Sequence, residues 1–203
     1  MNKRQKILIV DDSKPVFMKE DLLPVMGNNQ MIQDLTLCIY PGFGVTERME
    51  KIMEKDLLIR DVETKNIMTK SSLPVGGYSV NPYVGCTHGC KYCYASFMKR
   101  FTGHTESWGT FLDIKHWPAI KNPRKYKGQR VVIGSVTDGY LPQEKEIRNT
   151  RRILEQLKNS GAEILICTKS DLVLRDIDLL KEMGKVTVSW SINTLDEKFQ
   201  ADM

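Results

Sequence analysis

Three of the five cysteines, Cys86, Cys90 and Cys93, fall within eight residues in the order C-x3-C-x2-C. Thiolates crowded this closely suit a loop that wraps one metal centre with three sulfurs on one side. A cubane iron–sulfur cluster held by three cysteines keeps one iron open to a ligand that is not protein. The competing chemistry is zinc, for which His88 inside the loop would be the fourth ligand. Zinc ligands normally come as two separated C-x2-C or H-x3-H elements, and this chain offers no second element. A disulfide fits less well, because the apolar run at residues 7–10 is far too short for a secretory signal. Reduced cysteines in a cytoplasmic protein are the expectation.

The loop needs a rigid frame, and the pattern around it predicts one. Residues 78–83 alternate apolar and polar and read as the strand that delivers the cysteines, with a helix beginning at residues 95–100. Residues 101–130 read as a linker rich in Trp, Gly and Lys. Thereafter the order is regular: a short buried strand at 131–134, a long amphipathic helix at 143–160 ended by Gly161, and a strand at 163–168. A helix at 171–183 ended by Gly184, a strand at 186–192 and a new helix from Asp196, with Thr194 as its cap, complete the list. Strands alternating with helices mean parallel βαβ units, so the fold class is α/β. Functional residues of such sheets gather at the carboxyl ends of strands. Those ends hold the cysteine loop, then Ser135, Thr137 and Asp138, then Thr168, Lys169 and Ser170, then Ser191 and Asn193.

The cysteine spacing resembles that of the radical S-adenosylmethionine (radical SAM) superfamily, in which an aromatic residue also precedes the third cysteine, as Tyr92 does here. The resemblance implies a 4Fe-4S cluster on Cys86, Cys90 and Cys93, SAM on the open iron, and reductive cleavage of SAM to a 5′-deoxyadenosyl radical. From about Met49 to the end the chain is similar to the spore-photoproduct-lyase-like branch. It shares Cys-x-His-x-Cys-x-Tyr-Cys-Tyr-Ala at Cys86 to Ala95, Thr-Asp-x-Tyr at Thr137 to Tyr140, and Thr-Lys-Ser followed by Arg175 and Asp176. The implied fold is a partial (βα) radical SAM barrel, and the implied activity is that of a radical SAM enzyme of lyase-like type. Tyr92 is implied to meet the adenine through its backbone. Ser135, Thr137, Lys169, Ser191 and Asn193 are implied to hold the rest of SAM, with Lys169 toward its carboxylate. An electron donor such as flavodoxin or ferredoxin is the implied partner. Residues 134–140 lack the hydrogen-donating cysteine of the photoproduct lyase itself, so thymine-dimer reversal is not expected.

Further expectations attach to single residues. Asp138 and Asp176 read as helix caps, Arg175 as a partner of a surface acid, and Cys38 and Cys167 as core residues. The chain reads as truncated after about four βα units, which would leave the strand at 186–192 an uncovered edge and lower both SAM affinity and stability.

Residues 1–48 read as a short appendage and residues 49–203 as the main domain. Residues 3–14 weakly resemble the start of a response-regulator receiver, a buried strand before Asp11 and Asp12, but the rest of a receiver does not follow. Residues 27–29 read as a turn and 47–55 as a charged helix. No apolar stretch nears the roughly 20 residues a membrane span requires. The net charge of +5 belongs wholly to residues 61–203, which hold 21 Lys and Arg against 16 Asp and Glu. It is densest at residues 115–130, so an alternative function is a non-catalytic nucleic-acid-binding module with Trp108, Trp117 and Tyr126 as stacking surfaces.

Overall fold

Period-two burial along the strands sorts the central sheet of this mixed α/β protein into two faces. The computed structural model describes residues 6–11, 57–71 and 77–192. The expectations for residues 12–56, and for Asn193 and the helix from Asp196, lie outside the described residues. Among the described residues nine strands run in order: β1 Lys6–Asp11, β2 Leu58–Glu63, β3 Thr69–Lys70, β4 Tyr78–Val80, β5 Tyr83–Val84, β6 Phe111–His116, β7 Arg130–Ile133, β8 Glu163–Thr168 and β9 Val186–Ile192. The main sheet has the order β1-β9-β8-β7-β4-β3, parallel throughout except for the β3–β4 pair. From β4 to β9 each strand of this sheet lies beside its successor, the stepwise order of a barrel rather than of a doubly wound sheet.

On β7 and β8, Val131, Ile133, Ile164 and Ile166 are buried on the face that carries the helices. They pack with Ile153, Leu154 and Leu157 of helix α2 (Asn149–Leu157) and with Leu179 and Leu180 of α3 (Ile177–Glu182). Each such fully buried aliphatic side chain contributes about 1.5–3 kcal/mol of hydrophobic free energy. The alternate residues Val132, Gly134, Leu165 and Cys167 face a cavity. One sheet therefore separates core from site.

Four readings of the sequence are corrected. The helix expected over 143–160 is two, α1 (Glu144–Ile147) and α2, divided at Arg148 with φ 59°. The cause is Glu144, whose Oε1 accepts the amides of Thr150 at 3.0 Å and Arg151 at 3.4 Å, and so caps α2 where a helical carbonyl would stand. The segments at 94–101 and 171–176 are 3-10 turns, Tyr94–Phe101 and Asp171–Asp176. The stretch read as a linker contains β6, which joins β2 and β5 in a separate three-stranded sheet. Finally, the edge of β9 is covered: β1 pairs with it in parallel, Asp11 standing across from Ile192.

Burial also overturns the expected stacking surfaces. Trp117 and Tyr126 keep only 4% and 2% of their surface exposed, and Trp108 packs on a small apolar cluster with Phe111 edge-on at 5.8 Å. Arg152 and Lys125 cover Trp117 and Tyr126 with their cations. The Lys115 ammonium is spent on the Asn81 carbonyl at 3.0 Å, and burial lowers its pKa. Lys121, Arg124, Lys127 and Arg130 are exposed.

Candidate metal centre and cofactor cavity

The cysteine loop begins where β5 leaves the small sheet. Gly85 turns it with φ +87°, and a Cβ there would lie 2.4 Å from the Phe111 carbonyl oxygen, so only glycine allows the approach. Cys86 follows into an apolar cluster with Tyr83, Leu112 and Leu141, and keeps 8% of its surface. Cys90 and Cys93 are half-buried. Tight turns close the loop, Gly89 N–H donating to the Cys86 carbonyl and Cys93 N–H to that of Cys90, each at 3.1 Å.

The partners that hold this loop come from residues 135–144, which lead from β7 into the first residue of α1. The Tyr83 hydroxyl donates to Glu144, and the Thr137 hydroxyl to the Gly85 carbonyl at 2.6 Å. The Thr87 hydroxyl donates to Gln143 at 2.7 Å, and the Tyr94 hydroxyl to the Ser135 carbonyl. His88 Nε2 lies 3.2 Å from Asp138 Oδ2, at ion-pair distance but without the alignment of a hydrogen bond.

A second layer fixes those partners. Asp138 accepts the Tyr140 amide and the Thr168 hydroxyl on Oδ1, and the Lys169 amide on Oδ2, at 2.7–2.8 Å. It ties the end of β7 to the end of β8 and caps no helix, which corrects the expectation. Burial alone would raise the Asp138 carboxyl, but His88 and the two amides more than offset it and hold the group below its ordinary range. Asp176 is fully buried, and Arg175 grips it together with Glu144 rather than any surface acid. Burial raises the Glu144 carboxyl against the Tyr83 hydroxyl, Arg175 and the Thr150 amide, which favour its charge.

The cavity bounded by these elements measures about 460 Å³. Cys86, Cys90 and Cys93 line it, and so do Tyr92, Ser135, Thr137, Lys169 and Ser191, for which the family resemblance implied contact with the cofactor. The Lys169 ammonium stands 5.0 Å from the centre of the Tyr92 ring, so loop and β8 end meet at the cavity. Cys167, expected in the core, lines the cavity instead, because it lies on the inward face of β8. Burial and the charge of Asp138 raise its thiol pKa. Gly134 meets it closely: at φ +91°, a Cβ there would lie 2.3 Å from the Cys167 carbonyl oxygen. Gln143, Glu144 and Asn81 escaped the sequence reading. Asn81 binds the Val136 amide and the Ser135 hydroxyl, and nothing in its Asn-Pro context announces this role.

A family model described as the radical SAM superfamily matches residues 80–203. The chain belongs to the radical SAM superfamily. Among curated proteins, this radical SAM chain is 35% identical over 152 residues to an uncharacterized protein of Methanocaldococcus jannaschii, covering 74% of this chain and 58% of the relative. It is 39% identical over 135 residues to an uncharacterized protein of Acidianus two-tailed virus, covering 61% and 44% respectively. An uncharacterized protein of Mycobacterium bovis is 28% identical over 198 residues, 88% of this chain and 56% of the relative. The chain thus spans about half the length of these relatives. No solved structure matches it.

Superfamily membership implies an iron–sulfur cluster and SAM. The donor set fits: three thiols from one short loop open on one cavity whose other wall carries a lysine and hydroxyls. Among the described residues no three Cys, His, Asp or Glu side chains are already gathered at metal-binding separations. Burial pushes the Cys86 thiol up to about 12, against the backbone hydrogen bonds of Asp138 and His88, which lower it. Binding a cation there displaces a proton. Among the described residues no helix is long and apolar enough to cross a membrane.

Proposed function

We propose that this radical SAM chain binds a 4Fe-4S cluster through Cys86, Cys90 and Cys93, and SAM in the adjoining cavity. The observation that carries this reading is the meeting of the three thiols with Tyr92, Ser135, Thr137, Lys169 and Ser191 around one cavity. The bound group supplies the chemistry, one-electron reductive cleavage of SAM to a 5′-deoxyadenosyl radical. The chain's own residues bind and orient. Lys169 supplies a compact positive charge for a carboxylate. Thr137 has committed its proton to the Gly85 carbonyl, and so acts first by holding the cysteine loop in register with β7. Tyr92 and Tyr94 form the aromatic rim of the cavity. An electron-donor protein such as flavodoxin or ferredoxin is the partner this chemistry requires, and the lyase-like branch is the one whose motifs the chain shares.

Anoxic reconstitution with iron and sulfide is the test. A brown protein absorbing at about 400 nm is expected, as for thiolate-held clusters. Replacement of Cys86, Cys90 and Cys93 by alanine should abolish the colour. Stoichiometric zinc without iron or sulfide in anoxic material would overturn the reading.

A specific observation favours nucleic acid as the class of substrate. Tyr94 and Phe101 are 71% and 68% exposed, Phe97 is also exposed, and Arg100 lies over both phenylalanines. Residues 64–105 contain no Asp or Glu. This basic aromatic strip beside the cavity suits stacking of single-stranded bases. Salt-dependent binding of an oligonucleotide, lost on Tyr94→Ala with Phe101→Ala, is the expected result; parental affinity in that variant would remove nucleic acid from the proposal.

A further inference from the structure

Cys86 is the buried member of the three loop cysteines, and adjacent residues at the start of α1 grip the chain on both sides of it. Gln143 accepts the Thr87 hydroxyl one residue after Cys86. Glu144 accepts the Tyr83 hydroxyl three residues before it. Glu144 is itself immobilised: Arg175 donates to its carbonyl at 2.6 Å and to its Oε1 at 3.0 Å, and Oε1 also caps α2. Arg175 in turn spans to fully buried Asp176, which Arg151 holds at 2.9 Å. A buried glutamate, an arginine and an aspartate are a costly set to desolvate, and hydrophobic replacements would often stabilise a fold equally well. Their chain of bonds ends on the cysteine loop.

We propose that Gln143 and Glu144 are positioning residues for the metal centre, a clamp that sets Cys86 at the depth from which its sulfur can join those of Cys90 and Cys93. The proposal rests on the reading of the three cysteines as metal ligands. Residues one shell out from metal ligands orient them, and their loss typically lowers metal affinity by about 10- to 100-fold. The clamp holds the loop through the Tyr83 and Thr87 hydroxyls and not through the thiols themselves.

The probe is Co(II) alone, titrated anoxically into the reduced protein and read by thiolate-to-cobalt absorption. Thr87→Val and Gln143→Leu break the same hydrogen bond, so each should weaken Co(II) binding by about tenfold, and the pair together by no more than either alone. Adding Tyr83→Phe to Thr87→Val should bring the loss to about 100-fold. Leu157→Val on α2 is the control: it loosens the core away from the loop and should lose stability to urea while keeping parental affinity. Losses under about threefold relative to that control overturn the proposal, and larger ones support it. If the variant carrying Tyr83→Phe does not fold, Thr87→Val decides on the same threshold. Parental protein that neither binds Co(II) nor takes up iron and sulfide would overturn the metal centre together with the clamp; if it takes up only iron and sulfide, the same threshold is read on iron content, and tight binding by parent and variants alike would overturn the clamp only.

Discussion

Two histidines face buried aspartates in this chain, and the structure treats them differently. His104 is enclosed: Nδ1 lies 3.0 Å from Glu106 and Nε2 2.9 Å from Asp113, while the ring stacks on Phe111 at 3.9 Å. Its side chain keeps 1% of its exposure. His88 sits in the cysteine loop, lines the cavity and approaches Asp138 out of line. Asp138 already accepts from Tyr140, Thr168 and Lys169, so it does not depend on His88 for its hydrogen bonds. The first pair is complete in itself and holds β6 to the loop before it. In the second, the aspartate is built into the sheet and the histidine is left adjustable beside the thiols. Full satisfaction is the rule for buried polar groups, and a buried nitrogen without a hydrogen bond at a cavity wall is the exception.

The comparison can be broken most severely at His104. Replacement by alanine would strand Asp113 in a buried position and remove the stack on Phe111. A loss of about 3–5 kcal/mol in urea unfolding is expected, the cost of removing one member of a buried pair. A loss under about 1 kcal/mol, the usual worth of an exposed pair, would show that the enclosure is not structural.

Asp138→Asn comes next, at about 2 kcal/mol, because a carboxylate that accepts from several donors becomes an amide that can accept on one atom only. This loss depends on pH. The folded pKa of Asp138 is depressed, so the stability it contributes is fully present above the unfolded carboxylate value of about 3.9 and fades as pH falls through the folded value. The gap between parent and variant in urea midpoint should therefore narrow on acidification below about pH 4. A gap that stays unchanged as the pH is taken well below about 4 would contradict the assignment.

His88→Gln should have the smallest effect on folding, under about 1 kcal/mol for a partly exposed pair. Its effect should appear instead on Co(II) or cluster binding by the neighbouring thiols. A stability loss as large as that of His104→Ala would erase the distinction between the two pairs.

Much of the frame was legible in advance. Strands β7, β8 and β9 lie where apolar runs between turn residues place them, and the cysteine loop joins the residues of successive strand ends at one cavity. Glu144 shows where legibility stops. An acid at the start of an amphipathic helix reads as solvated, yet this one is fully buried, because Tyr83 and Arg175 arrive from 61 and 31 residues away. Trp117 and Tyr126 show the same limit in reverse. Aromatics set among lysines read as a stacking surface until their burial, under Arg152 and Lys125 respectively, is seen.

The sequence by itself determined what is local: the thiol spacing, the two-residue period of the strands, the helix stops and the polar strand ends. Spacing and periodicity are properties of neighbours along the chain, and they report which face is apolar and which loop carries donors. The tertiary structure alone decided which groups share a bond: Gln143 with Thr87, Glu144 with Tyr83, β1 with β9, and Cys167 with the cavity rather than the core. Those pairings depend on which strands become adjacent, and adjacency is settled when the whole sheet closes over its apolar face.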